Sequence, residues 1–310
     1  MKITIATGNY AHTLPLGNAR LEAGDQRFDV DWRSDRPESI FRQALSEDAP
    51  FDVAEMSLAT AWTLPDRGVT DFVALPVFPS RMFRLSGFYV RDGIARPEDL
   101  AGGRIGLVRY GQTAAVWSRA LLAHEFGIDL AAIDWWVAER QVFEPAGARI
   151  REAGGMDVLQ AMLTEGSLDC LIATSMPAVF SQGLVRRLFD DWPRRERALY
   201  AGPASVPIMH TLVMKRTLAE SWPGLAHAVV RGFEAAKRAA VDWIRDTDAS
   251  SLPVPLQHGW IEEMLDGGGA DGLPYRLEPN RKVLDDFAVH MFEQGLTRRR
   301  IAPDELFVDI

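Results

Sequence analysis

Two stretches of this chain repeat one pattern, and that pattern restricts the fold more than any other feature. In the first, Ile40, Phe41, Ala44 and Leu45 fall at helical spacing within 38–47, and a short loop leads to Phe51-Asp52-Val53-Ala54. In the second, Val158, Leu159, Met162 and Leu163 do the same within 157–165, and Leu168-Asp169-Cys170-Leu171-Ile172-Ala173 follows. Each helix precedes an Asp-led apolar strand, and each strand ends in polar residues: Glu55 and Ser57 in one copy, Thr174 and Ser175 in the other. An unbroken apolar strand is buried on both faces, so helices must cover it. The expected class is therefore α/β, with two similar lobes that each hold a mostly parallel sheet.

Patterning elsewhere fills in this frame. Strands are expected at 2–6, 28–32, 72–77, 88–90, 104–108, 135–137 and 209–214, and helices over 114–126, 224–245 and 282–294. In 224–245 the apolar stripe is Leu225, Val229, Phe233 and Ala240. The chain leaves the first lobe after residue 87 and returns near 205. Lobe 1 is thus 1–87 with 205–310, and lobe 2 is 88–204. Ligands of such sheets sit beyond the carboxyl ends of the strands. A ligand cleft between the lobes is expected there, near Asn9, Tyr10, Glu55, Ser57, Thr174 and Ser175. Pro253-Val254-Pro255 and Gly267-Gly268-Gly269 mark loops.

Composition excludes several classes of partner. The 310 residues carry a formal net charge of -9, which argues against nucleic acid or an anionic membrane surface. The basic runs at 194–197 and 298–300 lack interleaved aromatics and read as solvated faces. With one cysteine, Cys170, neither an internal disulfide nor a Cys-based zinc site can form, and its apolar setting makes it a small buried hydrophobe. No segment is long and apolar enough to span a membrane. The N-terminal residues read as a strand rather than a signal peptide, so a cytoplasmic location is expected. The sequence leaves a homo-oligomer open.

The strongest chemical signal is Phe78-Pro79-Ser80-Arg81-Met82-Phe83-Arg84-Leu85-Ser86. Two arginines three residues apart, beside a hydroxyl and an aromatic, reverse the local charge and suit bidentate recognition of carboxylates. Arg81, Arg84 and Ser80 are the expected carboxylate seat, unless the two arginines are simply surface residues beside a bend. Gln112 and Thr113 open a helix directly after a strand, where free N–H groups can hold an anion or a phenol, or where the two serve only as caps. Phe83, Tyr110 and Trp117 are candidates to sandwich a ring, although Trp117 shares its helix with Val116, Leu121 and Leu122 and also fits a core.

For acid–base work the candidates are His210, His12 and Glu55, in that order. His210 lies in the apolar strand Ile208-Met209-His210-Thr211-Leu212, where a satisfied core histidine is the alternative, and His12 follows the loop after the first strand, where an ordinary turn histidine is the alternative. Glu55 ends an apolar strand, where burial would make it a plausible acid and an arginine partner would make it a salt bridge. The histidines lead because imidazole both donates and accepts near neutral pH. His124, His227 and His290 read as helix residues, and His258 lies in a Pro/Gly-rich region. No cofactor is expected. A divalent metal stays open through a two-His–carboxylate set of His12, Glu55 and His210. No phosphate loop of the Walker type occurs.

The segment Arg96-Pro97-Glu98-Asp99-Leu100-Ala101-Gly102-Gly103-Arg104-Ile105-Gly106 resembles the start of the second lobe in type 2 periplasmic-binding-protein-like folds. More narrowly, FDVAEMSLA (51–59), PVFPSRMFRLSGFYVR (76–91), GQTAAVWSRALL (111–122), PIMHTLVMKR (207–216), YRLEPNRKVLDDF (275–287) and EQGL (293–296) together resemble 4,5-dihydroxyphthalate decarboxylases. The resemblance runs from Tyr10 to Phe307. It implies cofactor-free loss of carbon dioxide from an ortho-dicarboxylated catechol, giving 3,4-dihydroxybenzoate. A free aryl anion is too unstable to form, so such a reaction needs a base at a phenol, an acid at the ring carbon, and cations for two carboxylates. Asn9, Tyr10, Ser57 and Thr174 join Ser80, Arg81, Phe83, Arg84, Tyr110, Gln112, Thr113 and Trp117 as the expected contacts to a small aromatic carboxylate. One departure is Arg276, where the family more usually has glycine. A solute-binding protein or ligand sensor using the same cleft is the alternative.

Overall fold

A computed structural model describes residues 1–140, 145–246, 248, 259, 261–263 and 272–310. The loops expected at 253–255 and 267–269, and His258, lie outside the described residues. The chain divides into two compact units, the first made of 1–81, 201–284 and 302–310, the second of 82–200 and 285–301. Residues 285–301, which patterning put in the first lobe, therefore go with the second. The reason is packing: on helix Arg281–Glu293, the Phe287 ring lies 5.2 Å from that of Trp117, tilted by 37°, and just beyond it Gln294 accepts the Nε–H of the buried Arg119 at 2.7 Å.

Each unit is built on a six-stranded sheet. In the first the strands are β1 (Lys2–Thr7), β2 (Arg20–Ala23), β3 (Gln26–Ser34), β4 (Val53–Ser57), β5 (Phe72–Leu75) and β12 (His210–Lys215), in the order β2-β3-β1-β4-β12-β5. The second holds β6 (Phe88–Val90), β7 (Arg104–Leu107), β8 (Asp134–Val137), β9 (Arg149–Glu152), β10 (Cys170–Ile172) and β11 (Arg186–Arg187), in the order β11-β6-β10-β7-β8-β9. Read from opposite ends, the two orders match. β1 lies parallel between β3 and β4, as β7 lies parallel between β8 and β10. Beyond each Asp-led strand comes an antiparallel one, β12 beside β4 and β6 beside β10. The first sheet is thus mixed rather than mostly parallel: β2 and β12 both run against their neighbours.

The repeated aspartate explains the match. Asp52 accepts the Thr4 N–H of β1 at 2.8 Å while its own N–H reaches the Thr4 carbonyl at 2.9 Å. Asp169 makes the same two bonds, of 2.8 and 2.9 Å, with Arg104 of β7. In both units the residue locks the register of a parallel pair, the step that a buried sheet must specify. Burial alone would raise the Asp169 carboxyl, but Arg104 and Arg91 outweigh it and hold it below its usual range.

Four helices cover the two sheets or flank their strand ends: α1 (Pro37–Ala44), α2 (Leu58–Asp66), α3 (Thr113–Phe126) and α4 (Met156–Glu165). Helix α1 buries Ile40 and Ala44 against Ala6, Ala54, Met56 and Val213, and α4 buries Leu159 and Leu163 against Leu168, Leu171 and Tyr89. Helix Leu225–Arg245 carries its apolar stripe as spaced, with Leu225, Val229, Phe233 and Ala240 all buried. Among the described residues, no helix is long and apolar enough to cross a membrane.

Candidate active site

The site begins with a broken rule. Three residues after Asp169 the buried strand places Ile172. Three residues after Asp52 the matching strand places Glu55, which is fully buried. An ionised carboxylate in an apolar strand is several kcal/mol too costly to keep unless hydrogen bonds replace its water. Here they do. Gly8 donates its N–H to Oε2 at 2.5 Å, the Tyr10 hydroxyl donates to Oε1 at 2.7 Å, and His210 Nδ1 stands 2.6 Å from Oε1. The carboxylate is an acceptor on both oxygens, so Nδ1 carries the proton and Nε2 is left for other chemistry.

Local structure sets each partner. Gly8 and Tyr10 lie in the turn leaving the carboxyl end of β1, closed by Tyr10 N–H to the Gly8 carbonyl at 3.0 Å. A Cβ on Gly8 would meet the Tyr10 ring at 2.5 to 2.7 Å, so only glycine lets the phenol fold back to Glu55. His210 opens β12. Register pairs Leu212 with Glu55 and His210 with Ser57, so His210 shares a face with Leu212 and reaches Glu55 diagonally. Phe41 of α1 meets the His210 ring edge-on at 4.9 Å and fixes its plane. The Ser80 carbonyl accepts the Met209 N–H at 2.8 Å and that of His210 at 3.4 Å, which ties the Pro-Ser-Arg segment to the start of the strand.

His12 completes the cluster. Its ring stacks on Tyr10 at 5.2 Å with 8° between the planes, and Nε2 lies 2.9 Å from the Pro79 carbonyl. Burial holds its pKa below the ordinary value, against the opposing pull of the Pro79 carbonyl and Glu55; Lys237 acts in the same direction as burial. The imidazole is therefore neutral near pH 7, Nε2–H donates to Pro79, and Nδ1 bears a lone pair. Turned this way, His12 does not join Glu55 and His210 as a metal-ligand set, which corrects that expectation. Glu55 is corrected too. Its partners are Gly8, Tyr10 and His210 rather than an arginine, so it is placed to orient His210 and Tyr10.

Other expected residues fall in varied places. Asn9 is exposed beside Tyr10, and Ser57 is buried opposite His210. Arg81 is not an open seat. Its guanidinium donates to the carbonyls of Pro203 (3.4 Å), Val206 (3.3 Å) and Pro274 (3.0 Å) and to Asn280 Oδ1, clamping segments distant in sequence. Its partner in the motif, Arg84, belongs to the second unit and lies near Glu196, so the expected pair is split. Phe83 and Arg84 are half-buried in that unit. Tyr110 is core: it is 2% exposed, with the Arg119 guanidinium 3.6 Å over its face and Trp135 at its edge. Trp117, half-buried, packs on Phe287 and His290. Gln112 takes the N-cap position of α3 with no side-chain cap bond, and Thr113 is its buried first residue. Thr174 is exposed just past β10, on the same sheet end as Gln112.

Three contributors escaped the sequence reading. Gly8 and Phe41 carry no chemical signal of their own. Lys237 did: it falls four residues after Phe233, a cation on the apolar stripe of helix Leu225–Arg245. The structure buries it, with Nζ donating to the Leu273 carbonyl at 2.7 Å and lying 4.0 Å from the Tyr275 ring centre.

No family model matches the chain. A 4,5-dihydroxyphthalate decarboxylase of Comamonas testosteroni is 33% identical over 99% of this chain and 96% of its own length. A second, of Pseudomonas putida, is 33% identical over 59% of this chain and 74% of its own length. Among solved structures, the periplasmic aliphatic sulphonate binding protein SsuA of Escherichia coli superposes with a TM-score of 0.54 at 14% identity, covering 99% of this chain and 92% of that one. A DSZB mutant in complex with biphenyl-2-sulfinic acid gives 0.54 at 16% identity, covering 99% and 96%. These last two establish the periplasmic-binding-protein-like fold and nothing finer.

Proposed function

This chain belongs to the 4,5-dihydroxyphthalate decarboxylase family, and from that premise we propose that the cluster around Glu55 carries the proton transfers of the reaction. The chain is a carboxy-lyase acting on a small aromatic substrate, 4,5-dihydroxyphthalate, to give 3,4-dihydroxybenzoate. The observation that carries the assignment of residues is the buried Glu55 carboxylate, satisfied on both oxygens, with His210 Nδ1 at 2.6 Å and a second, neutral imidazole stacked on its tyrosine partner.

The phenol and the carbon that loses its carboxylate lie at opposite ends of the ring, so one imidazole does not serve both without moving. His12, neutral at Nδ1, takes the phenol proton, and electron density enters the ring. His210, in its imidazolium form with Nδ1–H held by Glu55, donates the Nε2 proton to the carbon that bears the carboxylate. That carbon becomes tetrahedral, the carbon–carbon bond to the carboxylate breaks, and its electron pair restores aromaticity as carbon dioxide leaves. The phenolate recovers its proton from His12, and His210 is recharged from solvent. One solvent proton is consumed for each carbon dioxide released. The negative Glu55 is placed to stabilise the imidazolium before transfer, and Tyr10 holds the second lone pair of the same oxygen.

The test is single-turnover decay of bound substrate in His210→Gln and His12→Gln, alongside ligand titration. General acid–base catalysis is worth about 10²- to 10⁴-fold, so each variant should slow by that order while binding changes little. Decay at the parent rate in both variants would remove these residues from the chemistry.

A further inference from the structure

In the second unit, three side chains that ligate metals converge without having been selected by any motif. His124 lies in the last turn of α3. His290 and Glu293 lie one turn apart on helix Arg281–Glu293 and so share a face. Glu293 Oε2 is 3.1 Å from His124 Nε2 and 3.8 Å from His290 Nδ1, and one ligand atom from each of the three lies within 4.8 Å of the others. A tetrahedral zinc site with ligand distances of about 2.0–2.1 Å sets its ligand atoms roughly 3.4 Å apart, between the two ion-pair distances found here.

An independent observation points to a ligand. His290 is largely buried against Trp117, and its Nδ1, shut off from solvent, has no hydrogen-bond partner. Buried polar atoms are nearly always paired, and an orphan calls for an explanation. The His124 and His290 ring centres also lie 5.0 Å apart, the planes tilted by 41°, an arrangement that gains nothing if either is protonated but suits two neutral nitrogens sharing one cation. A His and a Glu one turn apart on one helix, completed by a residue of a facing helix, is a form helical metal sites adopt.

We propose that His124, His290 and Glu293 form a binding site for a first-row divalent cation, with zinc the best fit. Two imidazoles and a carboxylate suit zinc, nickel or cobalt better than calcium or magnesium. The ion would cross-link α3 to helix Arg281–Glu293, joining two segments of the second unit that are far apart in the chain. None of its ligands belongs to the proton-transfer cluster, so its role is structural and its failure would leave the decarboxylase reading untouched.

The experiment uses the full chain, stripped with a chelator and titrated with zinc against a chromogenic competitor, with cobalt absorption as a second readout. One equivalent should bind the parent and raise its melting temperature. His124→Ala and Glu293→Gln, both at half-exposed positions, should each weaken binding by at least the roughly tenfold that losing even an outer-shell partner costs. His227→Ala, an exposed control, should bind as the parent does. Zinc bound by the parent and weakened in both variants would bear the site out. No binding tighter than about 1 mM, or unchanged binding in either variant, would overturn it.

Discussion

Replacing Glu55 with glutamine is the sharpest probe of this protein, because the change is isosteric and the site is fully buried. The carboxylate accepts three donors: Gly8 N–H on one oxygen, and Tyr10 O–H and His210 Nδ1–H on the other. An amide has one accepting oxygen. If that oxygen faces Tyr10 and His210, the new NH₂ points at the Gly8 N–H, and two donors collide with no way to adjust. If it faces Gly8, the NH₂ meets a hydroxyl and an imidazole, both of which can accept. The second arrangement is the cheaper one, and it forces His210 into the opposite tautomer, with Nδ1 accepting and the proton on Nε2. Exchanging charged for neutral hydrogen bonds costs about 1 kcal/mol each, and relief of the buried charge offsets part of that. Stability should therefore fall by no more than roughly 3 kcal/mol. Turnover should fall much further, because His210 can no longer be held as an imidazolium by a negative partner. The same acid-to-amide change in a serine-hydrolase triad costs about 10⁴-fold. The expected drop in kcat is about 10²- to 10⁴-fold with substrate affinity nearly retained, read by single-turnover carbon dioxide release and ligand titration. A Glu55→Gln enzyme that turns over at the parent rate would refute the argument.

Arg81→Ala should act on folding rather than on substrate recognition. It strands three main-chain carbonyls, an expected loss of about 2–4 kcal/mol in denaturant unfolding, and a normal stability with a sharply raised KM would restore the carboxylate seat. Arg276 is the one non-glycine residue at positive φ (70°) among those described, a conformation costing roughly 1–2 kcal/mol that its two bonds to Glu234 (2.7 and 3.1 Å) partly offset. Arg276→Gly should therefore stay within about 1 kcal/mol of the parent and Arg276→Ala should be the less stable of the two; the reverse order would dismiss the strain. His12 and His290 both have folded pKa values below 6.5, chiefly through burial, so their contribution to stability is complete above pH 6.5 and is lost as pH falls through the folded values. Urea midpoints measured from pH 7.5 down to about pH 5 should decline, and His12→Gln should flatten that decline; an unchanged slope would contradict it.

The presence of two α/β units was legible because it rests on local physics. Helical spacing at Ile40 and Leu159, and buried strands opened by Asp52 and Asp169, are properties of neighbouring residues. Arg276 was also visible as a departure, although only its φ of 70° explains why glycine suits that position, and its side chain turns to Glu234. His210, His12, Glu55 and Tyr10 could be named as separate candidates, because polar residues at strand ends are where such sheets put chemistry. What the sequence could not specify was which side chain faces which. Glu55 and His210 are 155 residues apart, and only the antiparallel register of β4 and β12 brings them together. The same holds in reverse for Arg81. A guanidinium in a strand-end loop looks free to bind a ligand until the chain returns and presents the carbonyls of Pro203, Val206 and Pro274 to it. Tyr110 became core and Trp117 was packed against neighbours for the same reason, through Arg119 in one case and residues 285–301 in the other. Residue type and spacing decide what a side chain can do; long-range contacts decide whether its hydrogen-bonding capacity has already been spent.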